Sequence, residues 1–259
     1  MIVSLALASH KGKVRENNED SFYFPLTGDI SNSNESEKMI FIDNYDLEER
    51  VMLAVFDGMG GLHNGEFASG CAVESLKEID SSNLSGTLSD YIVYINDYVC
   101  GKMRSIGKKI GSTAVLISFE NGKYEMANVG DSRCYLYRDY VLEQISEDHT
   151  EAAALKKMQI DSDTFSKNVN HNWKNVLTQH LGISTEEFQI EPHVNSGAIR
   201  KDDIFLMCSD GLTSMVNDEE ICAILSDDCS IADKRDELLK KALKNGGLDN
   251  ITLILAHFL

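Results

Sequence analysis

The sequence predicts an α+β fold in which strands and helices cluster along the chain. Three observations support this prediction: apolar segments of strand composition bounded by Gly, Asp or Asn, a few longer segments with helical periodicity, and an Asn-Gly turn between two strand segments. The strict alternation of strand and helix that is typical of Rossmann-type winding is missing. We therefore expect antiparallel sheets with helices packed outside them.

The strand predictions rest on β-branched, aromatic and aliphatic residues. They cover 2–8, 51–56, 113–119, 123–129, 133–137, 204–208 and 251–258. Asn121-Gly122 predicts a hairpin between two of them, because both residues tolerate the positive φ angles that tight turns require.

Helices are predicted in four places. Apolar residues recur at helical spacing over 67–79 and 88–103. A third helix should begin at Asn217, whose side chain can cap it while Glu220 stands at the capping-box position, and a fourth runs over 238–246. Three polar or acidic segments are predicted to be solvated loops: 28–38, 80–90 and 226–236.

Composition indicates one ordinary globular domain over 1–259. Hydrophobic residues make up 42% and charged residues 25%, and no Ser/Gly-rich linker divides the chain. No apolar run approaches the roughly 20 residues that a membrane helix needs, and the first residues lack the basic start of a secretion signal. We expect a cytoplasmic monomer with no membrane partner.

The net charge excludes one further class of partner. Lys and Arg number 24 and Asp and Glu 42, which leaves a formal charge of −18. Such a field repels nucleic acid and anionic lipid at long range, so neither is expected to bind.

Four aspartates fall at the ends of predicted strands. Asp57 and Asp210 each end an apolar run and precede glycine, Asp131 follows strand 123–129, and Asp249 precedes the last strand. Any single Asp-Gly pair is a common turn, and spacing alone does not show that the four meet. If they do meet, unpaired carboxylates would repel one another, and a hard divalent cation such as Mg²⁺ or Mn²⁺ is the best partner.

Seven short motifs are distributed along nearly the whole chain, and their order is informative. They are SHKGKVRENNED at 9–20, DGMGG at 57–61, GST at 111–113, NVGDSR at 128–133, DH at 148–149, CSDGL at 208–212 and GLDNIT at 247–252. Together they resemble the metal-dependent PPM family of Ser/Thr protein phosphatases, also called type 2C. The DGMGG form and the compact length are similar to bacterial members.

The resemblance implies a four-layer αββα sandwich, with two antiparallel sheets, helices on both outer faces and a metal site at one end. A variable flap beside the active site would correspond to about 150–174.

The same resemblance implies which residues hold metal. Asp57 would bridge two Mn²⁺ or Mg²⁺ ions, the carbonyl of Gly58 would bind one, and Asp210 and Asp249 would complete the other. Asp131 would help to hold a third, weaker ion. Two such cations can lower the pKa of a shared water enough to give a hydroxide that attacks phosphorus.

Other residues match family positions around the metals. Glu19 and Asp20 match residues that hold metal-bound waters, and Arg15 matches the arginine that grips the substrate phosphate. The planar fork of arginine suits two phosphate oxygens better than lysine does.

One departure concerns the proton for the leaving group. Eukaryotic members carry a histidine where Met59 stands, and methionine cannot donate a proton. A metal-bound water is the preferred source, with His63 or His149 as weaker candidates.

The sequence thus predicts hydrolysis of phosphoserine and phosphothreonine on proteins, opposing a Ser/Thr kinase that would itself be among the partners. The alternative is an inactive module of the same fold that binds phosphoproteins. Such modules usually lose a metal carboxylate, whereas Asp57, Asp210 and Asp249 are all present.

Overall fold

Two antiparallel sheets lie face to face, and helices cover the outer face of each. The computed structural model describes residues 1–27, 29–30, 37–59, 64–82, 86–158, 176–186 and 188–259.

The strands pair only with antiparallel neighbours. In chain order they are β1 (Ile2–His10), β2 (Asp20–Phe24), β3 (Asp29–Ile30), β4 (Glu37–Asp46), β5 (Val51–Met59), β6 (Gly111–Ser112), β7 (Ala114–Glu120), β8 (Lys123–Val129), β9 (Arg133–Arg138), β10 (Val141–Gln144), β11 (His193–Ala198), β12 (Ile204–Cys208) and β13 (Ile251–Phe258). The first sheet has the order β10-β9-β12-β13-β1-β4. The second has the order β11-β8-β7-β5-β2-β3, with β6 paired to β5.

The helices form the two outer layers. They are α1 (Gly65–Ser82), α2 (Leu88–Ile106), α3 (Glu151–Lys157), α4 (Asp210–Thr213), α5 (Asp218–Ser226) and α6 (Ile231–Lys244). Apolar residues of α1 and α2 pack on the second sheet, and those of α5 and α6 pack on the first. The expected four-layer sandwich is therefore confirmed. Among the described helices, none combines the length and the apolar character needed to cross a membrane.

An aromatic cluster joins the two sheets. Phe119 of β7 meets Phe205 of β12 and Phe258 of β13 edge to face, with ring centroids 5.2 and 5.0 Å apart. All three rings are fully buried. Such pairs stabilise beyond the area that they bury, so this cluster fixes one sheet against the other.

Strand pairing brings distant segments to one end of the sandwich. Antiparallel pairing of β1 with β13 sets His10 opposite Ile251, so the segment 11–19 leaves β1 beside the start of β13. In the second sheet, pairing of β2 with β5 sets Asp20 opposite Asp57.

Most sequence predictions for individual elements are confirmed. All seven predicted strands occur, and the hairpin turn has positive φ at Asn121 (49°) and Gly122 (72°). All four helices occur, and Asn217 and Glu220 form the expected capping box of α5.

The loop prediction for 226–236 was wrong. Helix α6 begins inside it, because the side chain of Ser230 accepts a hydrogen bond from the Asp233 amide and caps the helix. The polar residues that resemble a loop are the cap and the solvated face of this helix.

The other two loop predictions were partly wrong. The segment 28–38 contains the start of β4, an edge strand whose residues alternate between exposed and half-buried, so its polar composition hid it. The segment 80–90 contains the end of α1 and the first residues of α2, which Thr87 caps.

Candidate active site

The four aspartates singled out in the sequence line one cavity. Asp57 lies near the end of β5, Asp131 follows β8, Asp210 begins α4 directly after β12, and Asp249 precedes β13. The cavity has a volume of about 270 Å³. Its lining is Arg15, Glu19, Asp57, Gly58, Met59, Thr113, Asp131, Leu177, Asp210, Asp249 and Asn250. The convergence that chain spacing alone could not show is thus a property of the fold.

The crowding of these acids is visible in their pKa values. Burial raises the pKa of Asp57 well above its ordinary value, and the charges of Asp20 and Asp210 raise it further. Burial also raises the pKa of Asp131 to about 7, with Asp210 and Asp148 adding to the effect. Carboxyl groups in this state lack a compensating positive charge.

Asp20 lies beneath the cavity rather than in its wall. Its side chain is 2% exposed, and Oδ2 accepts a hydrogen bond of 2.8 Å from the hydroxyl of Ser209. Oδ1 of Asp20 is buried and has no hydrogen-bond partner among the described residues. Burial raises the pKa of Asp20 to about 7. Buried acceptors are normally paired, so a water or an ion is a suitable partner for this oxygen.

Arg15 supplies a positive charge at the rim. Its Nη2 atom donates to Oδ2 of Asp249 at 2.6 Å, and half of its side chain is exposed. The hydrogen bond to Asp249 is the main cause that raises the pKa of Arg15. The guanidinium therefore lies at the cavity rim, in contact with solvent.

These residues fit hard divalent cations by their chemistry, since carboxylate and carbonyl oxygens are the ligands that Mg²⁺ and Mn²⁺ prefer. Within the described ranges, no three His, Cys, Asp or Glu side chains are yet grouped closely enough to hold an ion. One of these carboxylates, that of Asp249, is paired with the guanidinium of Arg15.

Gly58 is fixed by close backbone packing. A Cβ atom at this position would lie 2.1 Å from the carbonyl oxygen of Gly65 and 2.5 Å from that of Glu19. Any other residue would push apart β5, the start of α1 and the residue before β2. Glycine here lets three elements meet at the cavity.

His149 is not placed to donate a proton to a substrate. It is 7% exposed and does not line the cavity, and burial lowers its pKa. Its Nδ1 atom accepts a hydrogen bond of 3.1 Å from the Gly130 amide, and its own amide donates to the Gly130 carbonyl. His149 thus holds the backbone directly before Asp131. His63, the other candidate, lies outside the described residues.

Two polar lining residues, Thr113 and Asn250, received no role from the sequence. Oγ1 of Thr113 accepts a hydrogen bond of 3.0 Å from the Asp57 amide. The Thr113 amide donates one of 2.9 Å to the Asp57 carbonyl. Asn250 binds three backbone groups of the segment 11–19. The available signal was that each lies inside a matching motif, GST for Thr113 and GLDNIT for Asn250.

The flap is described only in its first part. Helix α3 occupies the start of 150–174, and the side chain of Thr150 caps it by accepting from the Ala153 amide. The rest of that segment, from 159 on, lies outside the described residues. Beyond it, Leu177 pairs with Thr150 and lines the cavity.

Known protein phosphatases match this chain over much of its length. The family profile of protein phosphatase 2C matches residues 22–156. The serine/threonine phosphatase stp of Listeria monocytogenes is 33% identical over 244 residues, which cover 89% of this chain and 92% of stp. Protein phosphatase PhpP of Streptococcus pneumoniae is 31% identical over 218 residues, 80% of this chain and 85% of PhpP.

Solved structures show the same fold. The crystal structure of the Mycobacterium tuberculosis serine/threonine phosphatase PstP has a TM-score of 0.77 at 28% identity and covers 100% of this chain and 99% of its own. A structure of the PstP catalytic domain in complex with two manganese ions has a TM-score of 0.76 at 27% identity, over 99% and 98% of the two chains. With its motifs, its sandwich and these relatives, the chain belongs to the protein phosphatase 2C family.

Proposed function

We propose that this chain hydrolyses phosphoserine and phosphothreonine on proteins. The observation that carries the proposal is the meeting of four aspartates and Arg15 in one cavity. The relatives named serine/threonine phosphatases support it, and they give no support to the inactive binding module.

The cavity residues are assigned to metal as the family pattern implies. Asp57, the Gly58 carbonyl, Asp210 and Asp249 would hold two Mn²⁺ or Mg²⁺ ions, and Asp131 would contribute to a third. Bound ions of this kind act as Lewis acids and lower the pKa of the attacking water. The PstP structure with two manganese ions supports the two-metal assignment.

The remaining steps fall to side chains of this protein. Arg15 binds phosphate oxygens and stabilises the charge that develops on them, because its half-exposed guanidinium lies at the cavity rim. Glu19, which lines the cavity, and the buried Asp20 would orient metal-bound water. Met59 lines the cavity but has no proton to give, so we assign protonation of the leaving oxygen to water.

The wider assignments belong to the same proposal. The chain acts as one catalytic domain over 1–259, with its flap over 150–174, and relatives that match most of it support this. We propose a bacterial, cytoplasmic monomer whose partners are phosphorylated proteins, including a cognate Ser/Thr kinase.

Turnover of a phosphothreonine peptide tests the reaction. We expect release of phosphate with Mn²⁺, loss of release with a chelator, and a loss of at least about 10²-fold in Asp210→Asn. Asp228→Asn is the matched control, since Asp228 is exposed and does not line the cavity. Activity that survives both chelation and Asp210→Asn refutes the proposal. Peptide binding without turnover in the unmodified protein would favour the inactive module.

A further inference from the structure

The side chain of Asn250 holds the segment 11–19 against the start of β13. Its Nδ2 atom donates to the carbonyl oxygens of Lys11 at 2.9 Å and Asn17 at 2.8 Å. Its Oδ1 atom accepts from the Glu19 amide at 2.7 Å. Asn250 is only 4% exposed, so breaking these hydrogen bonds would leave buried polar groups without water as a partner. One amide thus ties both ends of this segment to a strand of the first sheet.

The backbone of Asn250 is fixed to the carboxylate side of the cavity. Its amide donates to Oδ1 of Asp249 at 2.8 Å. Its carbonyl oxygen lies 1.9 Å from the point where a Cβ atom on Gly211 would stand, directly after Asp210. The residue that holds the segment 11–19 therefore follows one cavity aspartate directly in the chain and packs closely against the residue after another.

Arg15 depends on this arrangement for its position. It lies inside the segment 11–19, and half of its side chain is exposed, so packing does little to place its guanidinium. Its contact with Asp249 brings together residues 234 positions apart in the sequence. That contact requires the segment to stay against the start of β13, to which Asn250 contributes three hydrogen bonds beside the one from the Lys13 amide to the Gly247 carbonyl.

We propose that Asn250 is a positioning residue that places Arg15 for the substrate phosphate. This inference rests on the proposed phosphatase function and names a residue that contributes to phosphate recognition through another. All polar atoms of the Asn250 side chain contribute, because two carbonyls need its donors and one amide needs its acceptor. Aspartate at this position would be nearly isosteric, but it would set a carboxylate oxygen against the carbonyl oxygens of Lys11 and Asn17.

A double-mutant cycle separates positioning from general stability. Asn250→Ala should lower kcat/KM for a phosphothreonine peptide about tenfold in the unmodified protein and less than about twofold when Arg15→Ala is already present. Asn245→Ala is the matched control, because Asn245 also donates to a backbone carbonyl, that of Met215, away from the cavity. An equal loss in both Arg15 backgrounds overturns the inference.

Amide exchange and phosphate binding give readouts that do not need turnover. Hydrogen exchange of the Glu19 amide should be faster in Asn250→Ala than in Asn245→Ala, because its acceptor is removed. In a titration with inorganic phosphate in the presence of Mn²⁺, Asn250→Ala should lower the phosphate affinity of the unmodified protein. It should have little effect on that affinity when Arg15→Ala is already present. Unchanged exchange at Glu19, or additive losses of phosphate affinity, contradicts the inference.

These readouts also keep the two proposals apart. If the unmodified protein has no phosphatase activity, the proposed function fails, and the phosphate titration still decides the role of Asn250. If Asn250→Ala does not fold by circular dichroism, Asn250→Asp takes its place in the same cycle, with the same expected result.

Discussion

The guanidinium of Arg15 lies 2.6 Å from the carboxylate of Asp249, measured from Nη2 to Oδ2. The pair joins the residue expected to bind phosphate to a residue expected to bind metal. A cation that takes the Asp249 carboxylate would compete with the guanidinium for it. Metal binding at Asp249 and phosphate binding at Arg15 are therefore expected to be coupled.

Replacement of Arg15 tests the phosphate role. Arg15→Lys keeps the charge and loses the planar fork, so we expect kcat/KM to fall about tenfold or more. For Arg15→Ala, kcat/KM should fall further. Steady-state kinetics with Arg104→Ala as control, an exposed arginine at the end of α2, checks this. Full activity in Arg15→Lys would show that the bidentate geometry is not used.

The stability of the metal-free protein should fall as pH rises. Burial raises the pKa of Asp20 and of Asp131 to about 7 in the folded state, above the ordinary value of 3.8. Folding therefore favours the protonated carboxyls. The protonated carboxyls contribute to the free energy of unfolding in full below about pH 4. This contribution decreases between about pH 4 and 7 and is absent above about pH 7.

Thermal unfolding between pH 5 and 8 measures this dependence. We expect the Tm of the metal-free protein to drop by about 4 °C or more over this range, and Mn²⁺ to restore it at pH 8. Asp131→Asn should flatten the profile, whereas Asp228→Asn should not. A Tm that rises from pH 5 to 8 in the metal-free protein would contradict the crowding of the carboxyls.

Two glycines should respond in opposite ways to alanine. Gly58→Ala places a Cβ atom 2.1 Å from the Gly65 carbonyl, so the backbone must move and we expect a large loss of Tm and activity. At Gly101, inside α2, the nearest atom to a new Cβ is 4.0 Å away. Gly101→Ala should stabilise by about 0.5 to 1 kcal/mol. Similar unfolding curves for the two variants would refute the close packing at Gly58.

Variants of His149 separate positioning from proton donation. His149→Leu leaves the Gly130 amide without its acceptor, which should shift Asp131 and lower kcat/KM about tenfold. His149→Asn offers an oxygen near the place of Nδ1 and should recover most of this loss. If His149 donated the proton, asparagine would be as damaging as leucine, so equal kinetics for the two variants would count against the positioning role.

Prediction from sequence worked best where the deciding interactions are local. The capping box of Asn217 and Glu220 spans three residues, and the turn at Asn121 depends on its own backbone angles, so both could be predicted. Strand β4 was missed, because an edge strand paired only with β1 keeps polar residues on its exposed side. Helix α6 was shortened for a similar reason, since its cap and solvated face are polar.

At the cavity, the sequence by itself determined which residue types are available and at which strand ends they stand. Asp57, Asp131, Asp210, Asp249, Gly58, Glu19 and Arg15 all reach the cavity where the motifs indicate, and their roles there remain predictions. Only the tertiary structure decided that Arg15 pairs with Asp249, that Asn250 holds the segment 11–19, and that His149 supports Gly130. The contacts of Arg15 and Asn250 join residues more than 230 positions apart, which the register of β1 against β13 brings together. His149 meets Gly130 across 19 residues through the folding of the loops around β9 and β10. No local pattern encodes either arrangement.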